Sequence, residues 1–244
     1  VVASTGNMRE RGMLYTGSYA SEQDEATPCI IEANGITVGF LGFTYGTNGL
    51  PVEQEHFASL IDDTLADQVA ALDSQVDVAV VMLHMGDEYA PLPNEFQEET
   101  ATVALDAGAD LVLGGHPHVV EPFAGPVWYS HGNFLHGQWE ENTKVGGIGE
   151  FTFRKRGDET TFEGARFMPT FTVGPPGTKI AGRWPKLKAA MTRPGTILSQ
   201  TPSSRAASKT SCDSAIAVDI VGSSGSPTPE AAAMIMAASP TYSR

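Results

Sequence analysis

Basic residues are scarce in this sequence, and the shortage is concentrated in its first part. Residues 1–150 hold 3 Lys and Arg against 23 Asp and Glu, while residues 151–244 hold 12 against 6. The formal net charge of the whole chain is -14. Such an acidic protein has no general electrostatic attraction to nucleic acid or to an anionic membrane surface. The sequence therefore predicts no nucleic-acid partner, and an acidic first part that concentrates cations.

Cysteines and long apolar runs are also lacking. Cys29 and Cys212 lie far apart, so they build neither a disulfide framework nor a thiolate zinc site. No run of 18 apolar residues occurs in these 244 residues, which excludes a membrane-spanning helix within them. The chain starts at Val1 rather than Met, and residues 1–12 lack the basic start and apolar stretch of a signal peptide. We therefore expect a fragment or a processed form.

Apolar patterns predict alternating strands and helices over most of the chain. Two β-branched runs flank Asn34-Gly35 within residues 29–43, which predicts a hairpin with a two-residue turn. Apolar residues at helical spacing predict helices over 57–74 and 95–108, and Gly108 is the predicted C-cap of the second. Strands are predicted over 76–83, 109–115, 126–130 and 150–154. This alternation is typical of a layered α/β fold.

The composition changes after residue 174. From Ser199 onward, Ser, Ala, Thr and Pro make up more than half of the residues and no period is sustained. Such a segment buries too little apolar surface to offset the entropy lost on ordering. We therefore predict a folded domain over residues 1–174 and a disordered tail over 175–244, with one short helix at 229–238.

Polar residues that can bind metal follow three of the predicted strands. His84 follows the first, His116 and His118 follow the second, and Asn133 follows the third. Pro117 stiffens the second loop, and a preceding Gly-Gly pair gives it freedom. Ligands bind at the carboxyl ends of strands in open α/β sheets, so these side chains should share one edge. Since imidazole suits Zn, Mn and Fe, the three histidines are predicted ligands of a divalent metal ion.

Other polar residues have simpler interpretations. His56 and His136 are expected to be hydrogen-bonded or exposed rather than ligands. Asp87 and Glu88 are typical loop charges, although Glu88 beside a metal would act as a base or orient a histidine. Asn133 either ends a strand in a Gly-Asn turn or faces the metal. Glu88 and Asn133 are therefore the candidate catalytic residues beside the three histidines.

An ordered series of motifs resembles the CapA family of capsule-synthesis proteins. The series comprises 34–49, His84-Met-Gly-Asp-Glu-Tyr89, 106–119 with its Gly-Gly-His-Pro-His, and Tyr129-Ser-His-Gly-Asn-Phe134. The resemblance extends over about residues 15–172. It implies an α/β sandwich similar to calcineurin-like metallophosphatases and a role in poly-γ-glutamate capsule assembly. It also implies a location at the cell envelope, on its extracytoplasmic side.

The same resemblance implies that part of the domain is missing. Family members open with a Gly-Asp strand end, an Asn-Leu-Glu segment and an Asn-His segment, which supply the first ligands, and these motifs do not occur here. His131 stands where the family more often has an apolar residue, and the tail matches no family pattern. We therefore expect the C-terminal two-thirds of the domain, with an unpaired sheet edge. A metal ion would then be held weakly or lost.

Three functions are compatible with these residues. The first is hydrolysis of a phosphoester by metal-activated water, with the histidines as ligands. The second is a non-catalytic binding or scaffold subunit of a membrane synthase complex, which holds an anionic polymer through bridging cations because the domain itself is acidic. The third is an inert fragment. Whether the chain is an enzyme stays open on the sequence alone.

Overall fold

The computed structural model describes residues 1–134, 138–173, 179–182, 214–221 and 233–237. Its α-helices are α1 (Val2–Glu10), α2 (Glu22–Glu25), α3 (Leu65–Asp73) and α4 (Glu95–Asp106), with 3-10 turns at Glu55–Phe57 and Glu141–Lys144. The first six strands are β1 (Cys29–Ala33), β2 (Ile36–Thr44), β3 (Val78–His84), β4 (Leu111–Gly115), β5 (Phe123–Ala124) and β6 (Val127–Trp128). The remaining strands are β7 (Val145–Arg156), β8 (Glu159–Val173), β9 (Lys179–Gly182), β10 (Ser214–Val221) and β11 (Ala233–Ala237). The predicted α/β class is confirmed.

The first sheet has the order β1-β2-β3-β4-β6-β5 and is mostly parallel. Strands β2, β3, β4 and β6 run parallel, whereas β1 and β5 are antiparallel at the two edges. The predicted hairpin is confirmed as β1 and β2, with Ala33 paired to Ile36. Asn34 and Gly35 both take positive φ, 54° and 77°, as a type I′ turn requires.

The second sheet has the order β11-β10-β7-β8-β9 and is built around the long antiparallel pair β7 and β8. The strand predicted at 150–154 lies within β7, which is longer than predicted. It belongs to this second sheet rather than to the parallel sheet.

The parallel sheet is buried on both faces, and this makes the fold a three-layer sandwich. The second sheet covers one face through a cluster of Ile36, Val38, Phe40, Val78, Val80, Leu111, Leu113, Trp128, Phe151 and Phe153. Helices α3 and α4 cover the other face through Phe43, Leu65, Val69, Val81, Leu83, Met85, Ala101, Ala104, Ala109, Val112 and Val127. Neighbouring strand residues face opposite layers, and both layers are apolar. This explains why the central strands are continuous apolar runs rather than alternating ones.

The two predicted helices, α3 and α4, differ in how well their limits were predicted. Helix α4 begins at a capping box formed by Asn94 and Gln97, and the chain leaves it at Gly108 with φ 108°. Helix α3 starts at Leu65 instead of residue 57, because the preceding segment pairs with the end of β2. The Thr44 amide donates to the Ser59 carbonyl at 2.9 Å, and this pairing outweighs the local helical spacing.

The tail is described only over three strands. Strand β10 runs parallel to β7, and β11 pairs antiparallel with β10. The short helix predicted at 229–238 is wrong over Ala233–Ala237, which is extended. Strand β10 has Ile216, Val218 and Ile220 at alternate positions. This alternation is typical of a strand, although the surrounding tail is rich in Ser and Ala. The rest of 175–244 lies outside the described residues, and the domain boundary at 174 stays a prediction.

Candidate functional site

The carboxyl ends of three parallel strands meet at one edge of the first sheet. Thr44 at the end of β2 pairs with His84 at the end of β3, and His84 pairs with Gly115 at the end of β4. Backbone hydrogen bonds continue past the strands. The Tyr45 amide donates to the His84 carbonyl, and the Met85 amide donates to the Gly115 carbonyl, each at 2.9 Å. The loops that follow the strands are therefore held side by side.

This edge brings together the three histidines predicted from the sequence. The ring centroids of His84 and His116 lie 4.8 Å apart, and those of His116 and His118 lie 6.1 Å apart. All three side chains are half-buried. We call His84, His116 and His118 the histidine cluster.

Two members of the histidine cluster, His84 and His116, favour the neutral imidazole. Burial, together with the neighbouring His116, His118 and His131, lowers the pKa of His84 to about 3. Burial also lowers the pKa of His116, although the carboxylates of Glu88 and Asp87 act in the opposite direction. A neutral imidazole keeps a lone pair on one ring nitrogen, and this is the form that binds metal ions.

The loop that carries His116 and His118 has an uncommon backbone. Both residues take positive φ, 105° for His116 and 62° for His118, a region that side chains with Cβ rarely enter. Gly114 and Gly115 belong to β4 rather than to the loop, so they do not supply its freedom. A Cβ at Gly114 would lie 1.8 Å from the Tyr129 carbonyl oxygen. Gly114 is therefore required because two backbones approach closely there. The residues of this loop that take positive φ are His116 and His118.

Asn133 is buried and determines the tautomer of His118. The Asn133 Nδ2 donates to the Thr143 carbonyl at 3.1 Å and to Gln138 Oε1 at 3.0 Å. Since a backbone carbonyl only accepts, the Asn133 amide is oriented with Oδ1 toward His118 Nδ1, 2.8 Å away. Nδ1 must then carry the proton and donate it to Oδ1. In the neutral form of His118 the lone pair is therefore on Nε2.

Two tyrosines that the sequence analysis missed flank the histidine cluster. The Tyr45 ring lies 4.7 Å from His116 and is stacked on His84 at 6.1 Å. The Tyr89 ring is stacked on His118 at 6.2 Å, and its hydroxyl accepts from Gln138 Nε2 at 3.2 Å. Tyr45 directly follows β2, so the rule of strand carboxyl ends would have found it. Both tyrosines are exposed on their outer side.

The remaining polar candidates take different positions. Glu88 and Asp87 are exposed, and their negative charges act to raise the pKa of His116. His56 lies away from the cluster, with its ring 5.0 Å from Phe57. His131 is packed against the ring of Trp128 and donates from Nδ1 to the Gly114 carbonyl, so it belongs to the core. His136 lies outside the described residues.

The donor chemistry of the histidine cluster fits a divalent metal ion, but the donor set is not complete. Imidazoles are borderline ligands that suit Zn, Mn and Fe, and the tautomer of His118 presents a nitrogen lone pair. Among the residues that the structure describes, however, no three His, Cys, Asp or Glu side chains are placed to hold a metal ion together. The cluster therefore supplies ligands of the right type in one place without forming a ready site.

Comparison with known proteins identifies the family. The sequence pattern of the bacterial capsule synthesis protein PGA_cap matches residues 1–138, more than half of the chain. The chain belongs to the PGA_cap family. A PGA_cap protein is expected to have a metallophosphatase-like fold, and the α/β sandwich with its mostly parallel central sheet agrees with this.

Two curated relatives of this PGA_cap chain are longer proteins. It is 32% identical over 160 residues to the capsule biosynthesis protein CapA of Bacillus anthracis, covering 61% of this chain and 39% of the relative. It is 34% identical over 141 residues to the PGA biosynthesis protein CapA of Bacillus subtilis (strain 168), covering 52% and 35%. The chain therefore spans about two fifths or less of their length. A crystal structure of a hypothetical protein from Thermus thermophilus is 17% identical, with a TM-score of 0.34 and coverage of 68% and 64%.

Proposed function

We propose that this chain is part of a protein of poly-γ-glutamate capsule biosynthesis that works on the extracytoplasmic side of the cell envelope. Membership of the PGA_cap family supports this, together with two relatives whose names refer to capsule and PGA biosynthesis. Subunits of a membrane synthase are the partners we propose. No helix in the described ranges is both long and apolar enough to cross a bilayer.

We further propose that the histidine cluster binds a divalent metal ion, Mn, Zn or Fe, and that the site acts on a phosphoester. The observation that supports this is the grouping of three imidazoles at the carboxyl edge, with the pKa of His84 lowered to about 3. When bound, such an ion would supply a polarised water and charge neutralisation for a phosphoryl group.

The surrounding residues of the chain have separable roles in this proposal. Asn133 holds His118 in the tautomer whose Nε2 faces a ligand. Glu88 is exposed and would take the proton that the attacking water loses, then pass it to the leaving-group oxygen. Tyr45 and Tyr89 limit access of bulk water from two sides through their stacking on the imidazoles.

Metal binding is tested by titrating the purified chain with Zn²⁺ or Mn²⁺ in a calorimeter and by assaying a generic phosphoester with each ion. We expect His116→Ala and His118→Ala each to weaken metal binding and to abolish metal-dependent turnover. His56→Ala is the matched control, because His56 lies outside the cluster and its loss should change neither quantity. Equal metal affinity in the unchanged chain and in His116→Ala would refute the proposed site.

A second candidate is a binding or scaffold subunit that holds an anionic polymer without turnover. The incomplete donor set favours it, since the described residues offer no group of three ligands. The acidic domain would repel polyglutamate unless divalent cations bridge the two. This candidate predicts binding of poly-γ-glutamate that needs divalent ions, with no phosphoester turnover. Turnover that disappears in His118→Ala would decide against it.

A further inference from the structure

A buried polar pair lies behind the histidine cluster and has no part in the chemistry proposed above. Gln97 on α4 is 0% exposed, and Glu121, in the chain between β4 and β5, is 1% exposed. The Gln97 Nε2 donates to Glu121 Oε2 at 2.7 Å. The second carboxyl oxygen, Glu121 Oε1, is buried and has no hydrogen-bond partner in the described part of the chain. Burying such a pair costs free energy, so its presence calls for an explanation.

Gln97 is held rigidly by the first turn of α4. The Asn94 backbone N–H donates to Gln97 Oε1 at 3.0 Å. The Gln97 backbone N–H donates to Asn94 Oδ1, also at 3.0 Å. Because Oε1 is taken by a backbone donor, the orientation of the side-chain amide is determined. Its Nε2 must point to Glu121.

The pair joins the loop after β3 to the segment that follows the loop after β4. Gly86, two residues after His84, lies so close to Gln97 that a Cβ on it would be 2.6 Å from the Gln97 Cδ. Glu121, three residues after His118, is tied by its amide to the Ser130 carbonyl at 2.9 Å. One side chain of α4 therefore abuts the loop after β3 and hydrogen-bonds to the segment that follows the loop after β4.

We propose that Gln97 and Glu121 are positioning residues, a buried pair that holds the His84 loop and the His116–His118 loop in register. This deepens the proposed function, because it assigns the support of the same site. Burial raises the pKa of Glu121 to about 7, and the nearby Asp87 adds to the effect, so much of the carboxyl is protonated near neutral pH. A neutral carboxyl accepts from Gln97 without leaving a buried charge beneath the loops.

The test is the nuclear magnetic resonance spectrum of the imidazoles in the full chain, recorded without metal. We expect Glu121→Ala to shift the ring signals of His84, His116 and His118, because it removes the contact that sets the loops. Glu121→Gln keeps the shape and an acceptor for Gln97, so it should restore the signals to their original positions. The control is Val69→Ala, which opens a cavity in the buried layer under α3 and should lower stability without moving the three signals.

A second measurement concerns Zn²⁺ affinity, which should fall about 10-fold in Glu121→Ala, as expected for loss of support behind a ligand. If Glu121→Ala does not fold, Gln97→Met removes the donor at similar volume and gives the same test. Unchanged imidazole signals in these variants, or equal shifts in Val69→Ala, would overturn the proposal. Absence of Zn²⁺ binding in the unchanged chain would instead count against the metal site, since the imidazole signals are read without metal.

Discussion

At alkaline pH, Glu121→Gln should have a higher free energy of unfolding than the unchanged protein. At acidic pH the two proteins should be equally stable. Glu121 is 1% exposed, and burial raises its pKa from 4.5 to about 7, with Asp87 adding to the effect and Gln97 opposing it. Between these two pKa values the folded state binds a proton that the unfolded state has lost. The contribution of Glu121 to the free energy of unfolding therefore falls as the pH rises from about 4.5 to about 7, and it stays low at higher pH.

The size of the effect follows from the two pKa values. A rise from 4.5 to about 7 corresponds to about 3 kcal/mol of unfolding free energy lost at pH 8. Glutamine resembles the protonated carboxyl and does not ionise, so Glu121→Gln should match the unchanged chain near pH 4.5. At pH 8 the variant should be the more stable protein by about 3 kcal/mol.

Urea unfolding followed by tryptophan fluorescence at pH values from 4.5 to 8.5 measures this difference. Glu99→Gln, on the exposed side of α4, is the control and should give a pH profile parallel to that of the unchanged chain. The reasoning would be refuted if the free energy of unfolding of Glu121→Gln depended on pH in the same way as that of the unchanged chain. In that case Glu121 would be ionised in the folded state at little cost.

Three further predictions concern packing, an ion pair and a tautomer. Gly114→Ala places a Cβ 1.8 Å from a backbone oxygen, so it should lower the free energy of unfolding in urea by at least about 3 kcal/mol. The control is Gly6→Ala, whose Cβ meets nothing within 4 Å and should not lower stability. Asp77 and Lys155 form an ion pair, and Asp77 also accepts from the Thr37 backbone N–H. Asp77→Ala should therefore lower the free energy of unfolding by about 2 kcal/mol and Lys155→Ala by less than about 1 kcal/mol, and equal losses would contradict this. Asn133→Ala should mix the tautomers of His118, seen as a change in its ring ¹⁵N signals, and unchanged signals would contradict the assigned orientation.

Much of the parallel sheet and of the site was predictable, because the relevant signals are local. A turn pair that tolerates positive φ predicted the β1–β2 hairpin, and a glycine after an amphipathic run predicted the end of α4. Continuous apolar runs predicted strands buried on both faces. The grouping of His84, His116 and His118 followed from one rule, that parallel strands end at a common edge.

Other features depended on partners distant in sequence. Helix α3 starts later than predicted because residues 59–61 pair with the end of β2, and the tail segment at 233–237 is a strand because it pairs with β10. Gly114 looked like a source of loop freedom, and only the position of Tyr129 shows that it permits close approach. Local composition contains no information about such neighbours.

The sequence by itself determined which chemical groups are present and at which end of which strand they stand. Tertiary structure alone decided their protonation and orientation. Glu121 meets Gln97 across 24 residues, and Asn133 meets His118 across 15. Burial and hydrogen bonding set a pKa and a tautomer through the atoms that surround a group in space, and chain order does not specify those atoms.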